Sequence, residues 1–425
     1  MLDRCVGRFP ISSIVVDQIE CLKKLNQHTV LWYDLNFKLQ TMRFVTAAVA
    51  FIGCLTMVAA PTPAAALSGR PDDYVSAGRK VTHPRPVHRP LRRAASPKLT
   101  AKSPPPPLLW SFTSGNDFNG GVAVGSGTVF AGDDLHFYAF DALTGAGRWN
   151  TTTSGLWSAA AEHDGVVYWA STTANVHANN ARTGAVVWST NVGGVQGGAL
   201  TYYNGTVLVP AKYSLSCLDK VTGQARWSVT TTGELTGQRP AVQNGNVIVA
   251  DNSGNVYAVN FGTGATAWTA AGYGDIDTSL AVGGGRVYLG SLSQDNITAF
   301  DATTGAVVWS VAQSAAVDAG VTYQNEVVYI GNDGGVIQAF SAATGSSLWS
   351  TNLPTGSMWA SPIVDAAQGM LYAAVNGNPA TVYAVSLANG SYQWSYPLTG
   401  SFVGEYMTLS NGVLYVADRS TTVYA

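Results

Sequence analysis

Six carboxylates of this chain, Asp117, Glu234, Asp275, Asp277, Asp318 and Glu405, each follow a regularly placed tryptophan by seven to eleven residues. If the intervening segments converge on one axis, such a set would form an acidic rim able to hold a cation or a basic peptide. The plainer reading is a scatter of solvated loop residues. The same segments carry four aromatics outside the regular register: Phe118, Trp157, Trp359 and Phe402. A flat indole or phenyl ring there would stack on a planar ligand or a sugar, or anchor a partner protein. Against this, Leu235, Ile276 and Val317 occupy equivalent places, so these rings equally suit the filling of space between repeats.

Chemistry of other kinds is not written in the chain. His136, His163 and His177 lack metal-ligand spacing, and no Gly-x-Ser-x-Gly elbow, phosphate loop or Ser-His-Asp order appears. The stretches Asp133-Asp134, Asp251-Asn252-Ser253-Gly254 and Asn332-Asp333-Gly334-Gly335 look like calcium loops, but they recur at one repeat position without a closing Glu. Turn chemistry accounts for them better. No catalytic residue and no metal ligand is expected.

The elements that must position these residues come from a repeat. Trp110, Trp149, Trp188, Trp227, Trp268, Trp309, Trp349 and Trp394 are spaced by 39 to 45 residues, and seven of them close a phrase such as AFDALTGAGRW or AFDATTGAVVW. A period near forty with short alternating runs and tight turns marks an array of small β-sheets. In residues 228–268, strands are expected at Arg239–Val242, Asn246–Ala250, Asn255–Asn260 and Ala265–Trp268, with Asn244-Gly245 as a hairpin turn. Four antiparallel strands per unit make a propeller blade. Seven units lie between Trp110 and Trp394. Three more strands follow Trp394, and Leu108–Phe112 supplies the fourth, which predicts an all-β, eight-bladed propeller over residues 108–425.

The YAFDxxTGxxxW phrase resembles the repeat of the pyrroloquinoline-quinone (PQQ) enzyme-like propellers, which include quinoprotein dehydrogenases and the BamB-like assembly proteins. The resemblance implies that Gly145, Gly184, Gly223, Gly264, Gly305, Gly345 and Gly390 dock neighbouring blades together with the tryptophans. Asn389 replaces the usual Thr, a departure that tolerance of the left-handed turn conformation would excuse. The dehydrogenases carry an adjacent cysteine pair, calcium ligands and insertions around the site, and the chain has no such pair. The resemblance is therefore nearer the non-catalytic, BamB-like branch, with no cofactor expected. A PQQ- and calcium-dependent oxidoreductase of alcohol or sugar is the alternative.

Met42-Arg43, the apolar run Phe44–Ala60 and the small residues Ala64 and Ala66 make a secretory signal over 42–66, with cleavage near Ala66. Residues 1–41 then form an artefactual or unstructured extension. An uncleaved anchor at 44–60 is the alternative, and a lipid on Cys54 fits poorly. Removal of the signal would leave Cys217 alone, with no internal disulfide. Residues 67–107 read as a proline-rich basic linker, able to touch an anionic surface. Residues 67–104 carry nine Lys/Arg against two acids, whereas 105–425 carry 8 against 19, a net of −11. That acidity argues against nucleic acid. A secreted, monomeric scaffold binding an extracytoplasmic protein or small ligand is the function expected.

Overall fold

The computed structural model describes residues 101–425 except Trp157, Val195, Gln196, Thr355 and Glu405. The predicted extension, the signal and most of the basic linker therefore lie outside the described residues, as do two candidate site residues, Trp157 and Glu405. The unit discussed below belongs to Arg89–Ala425.

Thirty-two strands form eight four-stranded antiparallel sheets arranged as a β-propeller. Blades 1 to 7 span 123–152, 161–191, 201–230, 241–270, 281–312, 322–352 and 363–397. Blade 8 joins 408–424 to the N-terminal strand Ser111–Thr113, which pairs with Thr422–Tyr424 in the register Ser111↔Tyr424 to Thr113↔Thr422. Bonds from Leu109 N to Ala425 O (2.8 Å) and from Ala425 N to Trp110 O (3.0 Å) extend this seam. Closure of the ring removes the open sheet edge that a linear array would present.

In blade 4 the strands run Ala241–Gln243, Asn246–Ala250, Val256–Asn260 and Thr266–Ala270. The first begins later than the alternation suggests because Arg239 and Pro240 belong to the loop entering it. The hairpin residues Asp164, Asn204, Asn244 and Asn411 all take positive φ ahead of a positive-φ glycine, the backbone a tight type I′ turn requires. Within each blade, second and third strands such as Thr206–Ala211 and Ser214–Asp219 are buried on both faces, and the core lies between blades as a series of apolar clusters.

Blade docking follows one pattern seven times. Each tryptophan from Trp110 to Trp349 donates its Nε1–H to a backbone carbonyl of the next blade, from Trp110 to Ala142 O (3.0 Å) through Trp349 to Leu387 O (2.9 Å). The acceptor lies three residues ahead of the turn glycine, and that glycine lies under the indole. A Cβ on Gly305 would stand 2.6 Å from the Trp268 ring, and Gly305 has φ +74°, so only glycine fits. Each glycine thus serves the tryptophan of the preceding unit, not the one that ends its own phrase. Asn389 departs from the sequence-based explanation: Gly390, not Asn389, takes positive φ. Asn389 instead accepts Ser391 N–H through Oδ1 at 3.0 Å, as the Thr144 hydroxyl accepts Ala146 N–H.

Candidate functional site

Antiparallel blades place the loops entering the first strand at one end of the ring, together with the turns between second and third strands. The other two turn sets lie at the opposite end. Entry-loop residues two places before the first strand are Gly121, Ala159, Ala199, Arg239, Ser279, Gly320, Ser361 and Tyr406. Six are small, which lets the loops approach one another: Ala199 N bonds Gln238 O (2.9 Å) and Val321 N bonds Ser279 O (3.0 Å).

The two large members close the waist. Tyr406, from the loop into blade 8, crosses to the far side of the ring. Its hydroxyl donates to Gly237 O at 2.7 Å and lies 2.7 Å from Ser279 Oγ, while its ring packs on Ala159 and Ala199. The Arg239 guanidinium sits 4.6 Å from the ring centroid, a cation–π arrangement. Five blades therefore meet at one side chain. The axis ends in a floor, and the mouth above it is a bowl.

Two unlike sectors line that bowl. On the blade 4 and 5 side, Glu234 receives the Tyr213 hydroxyl at 2.6 Å and the Lys212 ammonium at 3.2 Å. Asp275 and Asp277 stand beside it. Burial raises the Asp275 carboxyl. Asp277 is pushed up to about 7 by burial first, then by the negative charges of Asp275 and Glu234. Its Oδ1 is buried without a hydrogen-bond partner among the described residues. Asp318 follows on the blade 6 loop, half-buried.

Across the ring, Trp359 and Phe402 stack with centroids 5.1 Å apart and planes 13° from parallel, and Phe402 stays 37% exposed. Arg419 lies 5.8 Å from the Trp359 centroid, and its Nε donates to Asn119 Oδ1 at 3.0 Å. Asn119 in turn donates to Asp134 at 2.7 Å. Asp117 is exposed next to this group; burial first and then Asp134 raise its carboxyl, while Arg419 opposes the rise.

The structure thus separates the predicted set. Glu234, Asp275 and Asp277 come together, Trp359 and Phe402 come together, and Asp117 joins the second pair rather than the acids. Phe118 requires a correction: it is wholly buried, packed edge-on against Phe112 at 6.5 Å and beside Tyr138 at 6.0 Å, so it offers no face to a ligand. It holds the same loop position as the fully buried Leu156, Ile276 and Val317.

Sequence reasoning missed Tyr406, Arg239 and Arg419. The signal for the first two was present as the only large residues in an otherwise small-residue column. Arg419 had no such mark. The calcium-like turns are built on buried acceptors: Asp251 Oδ1 accepts Ser253 and Asn255 N–H, and Oδ2 accepts the Tyr257 hydroxyl at 2.8 Å and Gly233 N–H at 2.8 Å. Burial opposes ionisation of Asp251, but these donors outweigh it and hold its carboxyl below the usual range. Asp418 repeats the arrangement with Tyr424 and Gly400. These carboxylates pin the entry loops to the turns. Among the described residues no three His, Cys, Asp or Glu side chains form a group suited to a metal ion.

Solved structures share this architecture. A crystal structure of BamB from Moraxella catarrhalis superposes with a TM-score of 0.63 at 19% identity, covering 75% of this chain and 98% of that one. The computationally designed Ika8 protein matches with a TM-score of 0.63 at 18% identity, over 75% of this chain and 98% of its own. No curated protein sequence matches the chain. The family model described as outer membrane protein assembly factor BamB matches residues 138–294 and 293–425, more than half of the sequence. With its repeated Trp–Gly docking and eight closed blades, the chain belongs to that BamB family of PQQ-like repeat propellers.

Proposed function

We infer that this chain works outside the cytoplasm as a non-catalytic docking module, seating a protein partner across the mouth. The observation that carries this reading is the bowl itself: a floor closed by Tyr406 and a rim divided into an acidic sector and an exposed aromatic sector with Arg419. Such a surface suits a partner that offers a basic group to Glu234, Asp275 and Asp277 and an apolar one to Trp359 and Phe402. Family membership supports the same direction, because the family's description is an assembly role and not a reaction.

The alternative, a PQQ- and calcium-dependent oxidoreductase, fits the residues less well. A planar quinone beside a calcium ion needs open space at the axis and converging oxygen ligands. The axis is filled by Tyr406, Glu234 is engaged by Tyr213 and Lys212, and burial favours the protonated form of Asp277. The chain also lacks the cysteine pair of the dehydrogenases.

A photo-crosslinking residue at Phe402, compared with one at Leu143 on the opposite end, tests the reading in the producing cell. A discrete protein adduct at Phe402, lost when Asp275 and Asp277 become Asn, is expected. Adducts of equal yield at Leu143, or stoichiometric PQQ binding with calcium-dependent dye reduction by the purified protein, would overturn it.

A further inference from the structure

At the end opposite the mouth, blades 1 and 2 enclose a groove of about 750 Å³. Ser126, Thr128 and Arg148 line one wall, and Asp164, Asn180 and Arg182 the other. The volume gives room for a small-molecule ligand. All six side chains are polar, so an occupant must offer hydrogen bonds rather than apolar surface. The walls are held without it. Arg148 donates to Thr128 Oγ1 and, through Nη2, to Asp141 Oδ2 at 2.8 Å. Glu162 Oε1 takes the Ser126 hydroxyl at 3.0 Å and Gly165 N–H at 2.9 Å, tying the first turn of blade 1 to that of blade 2. Asp164 Oδ2 accepts from the Lys220 ammonium at 3.3 Å.

Two donors on the blade 2 wall are left over. Asn180 Oδ1 caps its own turn by accepting Arg182 and Thr183 N–H at 3.0 Å each, but its Nδ2 and the Arg182 guanidinium have no partner among the described residues. Arg182 also departs from the repeat. The equivalent turn position carries Leu143, Val221, Gly262, Thr303, Ala343 and Ala388, none of them charged. The residue before each docking tryptophan is an arginine only in blades 1 and 3, as Arg148 and Arg226. Between blades 1 and 2, and at no other junction, these two columns set an arginine on each wall. Of the three charges lining the groove, Arg148 is matched by Asp141 and Asp164 by Lys220. Arg182 is matched by nothing.

We propose that this groove binds a sugar acid, with its carboxylate on Arg182 and its hydroxyls on Asn180 and Asp164. A planar carboxylate meets a guanidinium in two parallel hydrogen bonds, and its single negative charge completes the balance of the lining. The hydroxyls both donate and accept, which suits a wall that offers an amide donor beside a carboxylate acceptor. A phosphate dianion would bring a second negative charge towards Asp164. A neutral sugar would leave the Arg182 charge unused. The groove and the mouth lie at opposite ends of the ring, so the two readings fail separately.

A reporter is built into the site. Trp149 donates its Nε1–H at 3.0 Å to the carbonyl of Ala181, a residue that also lines the groove. Sodium glucuronate titrated into the isotope-labelled full chain should shift the Trp149 indole N–H resonance, identified by its loss in Trp149→Phe, and leave that of Trp309 unmoved. The shift should saturate with a Kd on the order of 1 mM, as expected for a ligand of this size. Glucose, which lacks the carboxylate, and inorganic phosphate, which lacks the carbon-bound hydroxyls, should each bind at least about tenfold more weakly. Arg182→Ala copies what Ala343 and Ala388 supply in other blades, so the fold should keep its melting curve while binding weakens about tenfold or more. Arg226→Ala, in the matching place of blade 3, should leave binding unchanged. No saturable shift, glucose or phosphate binding as tightly as glucuronate, or undiminished affinity in Arg182→Ala would overturn the proposal.

Discussion

The outer girdle and the inner bowl of this propeller are cut from the same forty-residue unit, yet they use its register in opposite ways. In the girdle each position has one duty, met alike in seven copies: an indole, a carbonyl, a left-handed glycine. In the bowl, equivalent positions carry different residues: Asp277, Asp318, Trp359 and Gly404 stand at one place in successive loops, and Ser279, Gly320, Ser361 and Tyr406 at another. Repetition builds the ring; departure from repetition builds the surface at its axis. Stability should therefore reside in the first region and selectivity in the second.

The largest effect should come from breaking the girdle at its seam. Deletion through Phe112 removes Ser111 and Phe112 of the closing strand, the buried Trp110 and its bond to Ala142 together. A loss of about 4 kcal/mol is expected, from a cavity the size of a buried aromatic plus an exposed edge. Thermal unfolding of the deletion beside its parent checks this, and equal midpoints would mean that blade 8 closes without that strand.

Gly305→Ala probes the same girdle more gently. The added methyl would meet the Trp268 ring at 2.6 Å on a backbone at φ +74°. A cost of about 2–3 kcal/mol is expected. Gly127→Ala is the matched control, since it has a similar φ of +69° but nothing within 4 Å of the added carbon. The difference between the two variants in urea denaturation isolates the indole contact. If both cost the same, the glycines serve backbone conformation alone.

At the waist, Tyr406→Phe deletes the hydroxyl that joins Gly237 and Ser279 and leaves the ring in place. About 1 kcal/mol should be lost, because two buried contacts of the hydroxyl go while the Ser279 Oγ bond to Gly237 O at 3.0 Å remains. A hydrogen-exchange measurement should locate the loosening in the loops entering blades 4 and 5, across the ring from the mutation.

These three expectations mirror what was legible in the sequence. The spacing of Trp110 to Trp394 and the Thr-Gly turns carried the blade number, the strand order and the N-terminal closing strand, because each repeats and each repeat meets the same physical demand. The grouping of the site residues was not legible to the same degree. Phe118 and Phe402 are both phenylalanines in entry loops, yet one fills the inter-blade layer and the other faces solvent, depending on a single step of register. Arg419 reaches Trp359 from a different blade's turn, and no spacing within one unit encodes a contact between two units.

Asp277 yields the next prediction, one whose size depends on pH. Its folded carboxyl titrates at about 7 because burial, Asp275 and Glu234 disfavour the charge, whereas an unfolded aspartate titrates near 3.9. Between these values the folded state binds the extra proton, so stability falls as pH rises through that window and levels off above about 7. Asp277→Asn should therefore raise stability by about 2 kcal/mol at pH 8, with the gain vanishing towards pH 4. Urea midpoints of parent and variant across that range provide the check; a pH-independent difference would mean that the amide improves packing and that charge plays no part.

The smallest effect on stability should belong to the aromatic sector, and there the comparison between girdle and bowl is most exposed to refutation. Phe402 is 37% exposed and its main contact is the stacked Trp359, so Phe402→Ala removes little buried surface and should cost under about 1 kcal/mol. In a partner-bound state the same ring would be covered, and an aromatic anchor at the centre of an interface typically carries about 2 kcal/mol or more. The crosslinked adduct trapped at a neighbouring mouth position, Ser401, should then fall at least tenfold in Phe402→Ala while the melting curve stays nearly superimposed on the parent. A variant that melts several degrees lower with adduct yield unchanged would place Phe402 with the structural residues and shift the recognition surface to the acidic side alone.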